Sequence, residues 1–117
     1  MATTLAQAEE AARPPKSETG EASFYGEQSA GETTASGAPF DPTKLTAASP
    51  TLPFGTKAKV TNQATGQSVN VTITDRGPFA KDRIIDVSPK AAEHLGMKED
   101  GVAQVKIQPL SVPKKAP

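Results

Sequence analysis

Cysteine and tryptophan are both missing from these 117 residues. Without cysteine there is no disulfide, no thiolate metal site and no thiol nucleophile, and the redox compartment stays undecided. Aromatic residues make up 4% of the chain, so a core must rest on Val, Ile, Leu and Ala. No run approaches the roughly 18 apolar residues of a membrane-spanning helix. The N-terminus lacks the basic-then-apolar order of a signal peptide, so a secreted protein would be present here in processed form. Strong charge is absent too, since the formal net charge is zero. Residues 1–21 hold two basic and four acidic side chains, leaving eleven basic and nine acidic from residue 22 onward. That balance gives no basic stripe for nucleic acid.

What the chain does have is eleven prolines and nine glycines, the mark of a turn-rich β architecture rather than a helical bundle. Its length fits one domain with a modest core. Residues 4–12 contain good helix formers, but Pro14-Pro15 stops any helix there, and residues 1–21 read as a linker. The folded part is expected over residues 22–110, with a disordered tail over 111–117. Short strands are expected at 22–26, 44–48, 57–62, 68–74, 84–87 and 102–107. A polar, Gly-rich loop separates the first two, and Thr65-Gly66 makes a hairpin of the third and fourth. Ser88-Pro89 opens a helix near 89–95, with Ala91, Ala92 and Leu95 on its inner side and Gly96 as its stop. Six strands and one helix predict an all-β fold, a small barrel.

The chain is organised around Asn70-Val-Thr-Ile-Thr-Asp-Arg-Gly-Pro-Phe79 and the nearby Arg83-Ile-Ile-Asp-Val-Ser88. Val69, Val71 and Ile73 alternate with polar residues, as in a strand with one buried face. Asp75-Arg-Gly-Pro78 breaks that strand and leaves a carboxylate on a rigid element facing a loop, where sites are commonly built.

Eight segments follow one another in order: Ala22-Ser-Phe-Tyr-Gly26, Thr34-Ala-Ser-Gly37, Phe40-Asp41, Leu45-Thr-Ala-Ala48, Thr51-Leu-Pro-Phe-Gly-Thr56, Val60-Thr-Asn62, Asp75-Arg-Gly-Pro-Phe79 and Arg83-Ile-Ile-Asp-Val-Ser88. Each is weak alone. Together, over residues 22–110, they resemble the rare lipoprotein A family. The resemblance implies a six-stranded double-psi β-barrel, a fold shared with expansins and some endoglucanases. It implies a lytic transglycosylase that cleaves peptidoglycan between N-acetylmuramic acid and N-acetylglucosamine, leaving a 1,6-anhydro end and favouring strands stripped of stem peptides. One carboxyl group suffices for that chemistry, as acid and then base, whereas a water nucleophile needs two.

The resemblance makes Asp75 the candidate acid; the plain alternative is an Asp that caps the Gly77 turn or pairs with Arg76. Two positions depart from the family pattern. Its Glu is replaced by Ala38 and its His by Ser49, and neither residue can carry a proton charge near neutral pH. Asp41 is a candidate second carboxyl, or an ordinary turn opener before Pro42. Of the adjacent aromatics one is expected in the core, Tyr25 being the better candidate for stacking on sugar and Phe24 the other. Arg76 is a candidate for a muramic lactyl carboxylate, or a solvated surface residue. Arg83 and Asp86 read as a structural pair. His94 has no ligand-type neighbours, so no metal and no cofactor are expected. The sequon Asn70-Val-Thr72 falls inside a strand and is discounted.

The partner implied is the peptidoglycan glycan strand, met by a monomer in the bacterial periplasm, at the outer membrane or outside the cell. Nucleic acid and a direct membrane span are not expected. Two other readings stay open: a non-catalytic glycan-binding barrel, and a protein-binding barrel such as a protease inhibitor.

Overall fold

The computed structural model describes residues 16–26 and 29–113. The helix considered over residues 4–12, most of the expected linker and residues 114–117 of the expected tail lie outside the described residues. Six strands close into a barrel: β1 (Glu18–Phe24), β2 (Thr46–Ser49), β3 (Lys57–Asn62), β4 (Ser68–Arg76), β5 (Arg83–Val87) and β6 (Ala103–Ser111). One helix, α1 (Pro89–His94), lies between β5 and β6. The barrel order is β1-β5-β2-β4-β3-β6. Only β1–β5 and β2–β4 pair in parallel. This is the expected double-psi barrel.

The expected alternation fills the interior. Ala58 and Val60 from β3, Val71 and Ile73 from β4, Ile85 and Val87 from β5, and Val105 and Ile107 from β6 are all buried. With so few aromatics, these branched side chains carry the core, as the composition requires. Leu95 and Met97, just past α1, complete it. The Ser88 hydroxyl accepts the Ala91 N–H at 3.2 Å and donates to the Lys44 carbonyl at 2.6 Å. It therefore caps α1 and ties the helix start to the chain entering β2.

Several boundaries differ from expectation, and β4 runs on to Arg76, through the Asp75-Arg76 expected to break it, so that only Gly77-Pro78 ends the strand. β1 opens at Glu18, inside the stretch read as linker, because Glu18 and Gly20 pair with Ile107 and Val105. Gly20 permits this: a Cβ there would stand 2.8 Å from Ile84 Cγ2. β2 runs from Thr46 to Ser49 rather than over 44–48. β6 continues to Ser111, into the expected tail, and passes through Pro109 where a register shift at Lys57 and Ala58 relaxes the ladder.

Candidate active site

The ladder registers set out the site. Ser23 pairs with Asp86, Asp86 with Ala48, and Ala48 with Asp75, so one row crosses β1, β5, β2 and β4. Strict alternation after Val71 and Ile73 would send Asp75 into the core. Instead the register skips Thr74: Ala47 pairs with Ile73, and Ala48 with Asp75. Such a bulge re-aims a side chain. Asp75 reaches the outer face, half-buried, two residues after the fully buried Ile73.

Three donors meet the Asp75 carboxylate there. The Tyr25 hydroxyl donates to Oδ2 at 2.8 Å. The Ala35 N–H donates to Oδ1 at 2.8 Å and the Arg76 N–H to the same oxygen at 2.9 Å. Tyr25 sits just past β1 and is held there by its own N–H on the Val87 carbonyl, 3.0 Å. Its ring stacks on Phe40, centroids 4.8 Å apart. Burial, then the hydrogen bond to Asp75, then the charges of Asp75 and Asp86 push the Tyr25 phenol well above its ordinary value of 10.0. It stays a neutral hydroxyl at any physiological pH.

The polar loop expected before Pro42 is folded by its own bonds. Gly31 N–H meets the Phe40 carbonyl at 2.8 Å, and Phe40 N–H the Glu32 carbonyl at 2.7 Å. Buried Thr34 spans the tip, donating its hydroxyl to the Ala38 carbonyl at 2.7 Å. The Ser36 N–H fastens the loop to the Thr74 carbonyl, 3.2 Å. Phe40 and the Ala35 N–H are the site groups that the sequence reading missed. A lone aromatic in an otherwise polar loop was a signal for Phe40; nothing in sequence marks a backbone amide.

Other candidates are placed as follows. Phe24 packs against the core cluster while Tyr25 takes the site side, the division that alternation predicts. Arg76 is half-buried and engaged within the chain rather than free in solvent. Its Nη1 donates to the Ser49 and Leu52 carbonyls at 2.9 and 2.7 Å, and its guanidinium lies 4.2 Å over the Phe54 ring. Ser49 is buried, its hydroxyl accepting the Leu52 N–H at 2.9 Å and the Thr51 N–H at 3.2 Å. Ala38 is exposed on a hollow of about 160 Å³ shared with Phe40, Asp41, Lys44 and Thr74. Asp41 accepts both the hydroxyl and the N–H of Thr43, at 2.6 and 2.9 Å. Those bonds, the hydroxyl's first, hold its carboxyl below the usual value.

Arg83 and Asp86 form the expected pair, Nη2 to Oδ2 at 3.5 Å. Asp86 also accepts the Ser23 hydroxyl. It lies two inter-strand steps from Asp75, about 10 Å in Cα distance. His94 is exposed in the last turn of α1. Among the described residues no three His, Cys, Asp or Glu side chains are arranged to hold a metal ion, and no helix is long and apolar enough to cross a membrane.

A family model described as lytic transglycolase matches residues 17–107. The probable endolytic peptidoglycan transglycosylase RlpA of Nostoc sp. is 53% identical over 93 residues, 78% of this chain and 25% of that protein. The endolytic peptidoglycan transglycosylase RlpA of Rickettsia felis is 51% identical over 94 residues, 78% of this chain and 41% of that one. The chain thus spans less than half the length of these curated relatives. Among solved structures, the Streptomyces papain inhibitor superposes with a TM-score of 0.65 at 22% identity, covering 81% of this chain and 94% of that one. The apo expansin of Clavibacter michiganensis gives 0.64 at 21% identity, covering 85% and 52%. At such identities these structures share the fold alone.

Proposed function

The chain belongs to the lytic transglycolase family, and from that premise we propose that it acts on the glycan strands of peptidoglycan, with Asp75 as its acid and base. The observation that carries this reading is the convergence of Tyr25, Ala35 and Arg76 on one re-aimed carboxylate at the barrel surface. The curated relatives, named as peptidoglycan transglycosylases, support the substrate.

The two carboxylate oxygens have different work. Oδ1 receives two N–H groups, which can only donate. Oδ2 faces the Tyr25 hydroxyl, which donates to the carboxylate and can turn to accept when the carboxyl is protonated. Oδ2 is therefore the oxygen that carries the proton. It passes that proton to the glycosidic oxygen as the bond to the muramic C1 breaks. The resulting carboxylate then takes the proton of the muramic C6 hydroxyl, whose oxygen closes on C1. No water is consumed, and the 1,6-anhydro end follows. Asp41, committed to Thr43, serves the turn in this scheme, and Arg76 supports the loop after β2. Strands free of stem peptides, a monomeric protein and a periplasmic, outer-membrane or extracellular setting accompany the reading.

A second reading, a glycan-binding barrel without turnover, is favoured by positions 38 and 49. Ala38 has no titratable side chain, and the Ser49 hydroxyl is already occupied by two N–H groups. Losing members of a catalytic set that acts as a unit can remove nearly all activity. Incubation with purified peptidoglycan and with stem-peptide-free strands, followed by mass spectrometry, separates the two. Anhydro products that vanish in Asp75→Asn support the lytic reading. Co-sedimentation without products supports the binding barrel, and neither binding nor products would direct attention to a protein partner.

A further inference from the structure

The chain has five aromatic side chains, and four are engaged. Phe24 packs on the core, Tyr25 and Phe40 stack on each other, and Phe54 lies under Arg76. The fifth, Phe79, is 83% exposed. An aromatic ring left in water forgoes the largest apolar burial a side chain can gain, so its position calls for an occupant.

Its placement names one. Phe79 stands four residues after Asp75, at most about 14 Å away along the chain even if fully extended. The intervening Gly77 and Pro78 are buried, which fixes the backbone that presents the ring. Gly77 has φ +124°, a backbone conformation that side-chain-bearing residues rarely adopt, so the turn before the ring is specified by sequence. What the ring offers is a flat apolar surface with a π face. The C–H face of a pyranose is the matching chemistry.

We propose that Phe79 is a substrate-binding residue whose ring takes the apolar face of one sugar flanking the bond at Asp75. The inference rests on the glycan reading above. Phe79→Trp tests it directly, because the chain has no other tryptophan. Titration with soluble, stem-peptide-free glycan oligosaccharides is expected to shift its emission to shorter wavelength in a saturable way. Phe79→Ala is expected to bind the same oligosaccharides roughly three- to tenfold more weakly by calorimetry, with an unchanged melting temperature because the ring is exposed.

Equal affinity in wild type and Phe79→Ala, or an unmoved tryptophan signal at saturation, would overturn the inference and leave the glycan reading standing. Wild type that binds no strand at all would remove both. Self-association that Phe79→Ala abolishes, with strand binding unaltered, would assign the ring to a second copy and overturn the proposal as well.

Discussion

At the residue scale, the Asp75 and Tyr25 pair gives the sharpest tests. Tyr25 is the only tyrosine in the chain, so its phenolate absorbance reports one group. Asp75→Asn removes a charge that raises the Tyr25 pKa, but not the burial that contributes most. The titration is expected to move down toward 10.0 without reaching it; an unmoved titration would separate the two residues. A pH dependence of stability follows with a definite sign. The folded phenol keeps its proton where the unfolded one loses it, so this contribution is intact below pH 10.0 and lost as pH rises from there toward the raised folded value. Urea midpoints on either side of pH 10 should show that loss in wild type and not in Tyr25→Phe. Ala38→Glu places a carboxyl on the hollow beside Phe40 and Thr74, where there is room. It is expected to raise anhydro-product formation by about 10²-fold, the ordinary worth of an acid–base group. Asp41→Asn should leave product formation nearly unchanged, whereas a drop of similar size would return Asp41 to the catalytic set. Asp75 was legible from its motif; its partners were not, because Tyr25 and Ala35 lie 50 and 40 residues away in sequence.

At the element scale, two register shifts shape the site. One lies between β2 and β4 at Asp75, the other between β1 and β5, where Ile84 is skipped before Ile85 and Asp86. Their effect is to put Asp75 and Asp86 on the outer face beside strands whose alternate residues fill the core. The helix was read from its ends: Ser88 as N-cap, Pro89 at the first position and Gly96, with φ +68°, after Leu95. Ser88→Ala is expected to lower stability by about 1–2 kcal/mol, since it also cuts the bond to the Lys44 carbonyl; thermal unfolding measures it. Asn62 links two elements in a way no local pattern announces. Its side chain accepts the Ala64 N–H at 3.0 Å in the hairpin turn and donates to the Leu95 carbonyl at 2.8 Å. The ends of β1 and β6 were misplaced because Glu18, Gly20 and Pro109 are poor strand signals taken alone. Pairing across the barrel overrides that weak preference.

At the scale of the whole molecule, a small barrel without disulfides depends on a few branched side chains. Ile73→Ala, at a fully buried position next to the bulge, is expected to cost about 2–5 kcal/mol. That is a large share of the roughly 5–15 kcal/mol that holds a domain together, and urea unfolding would show it. The sequence by itself determined the all-β class, the inward face of β3, β4 and β6, the helix and its caps, and the carboxylate at the Gly-Pro turn. Those features follow from period, propensity and turn chemistry, which act over a few residues. The tertiary structure alone decided which face Asp75 takes, what donates to it, and that Arg76 braces a loop. It also engaged every aromatic except Phe79. These depend on register and on closure between strands distant in sequence, where one skipped residue reverses the face of a side chain.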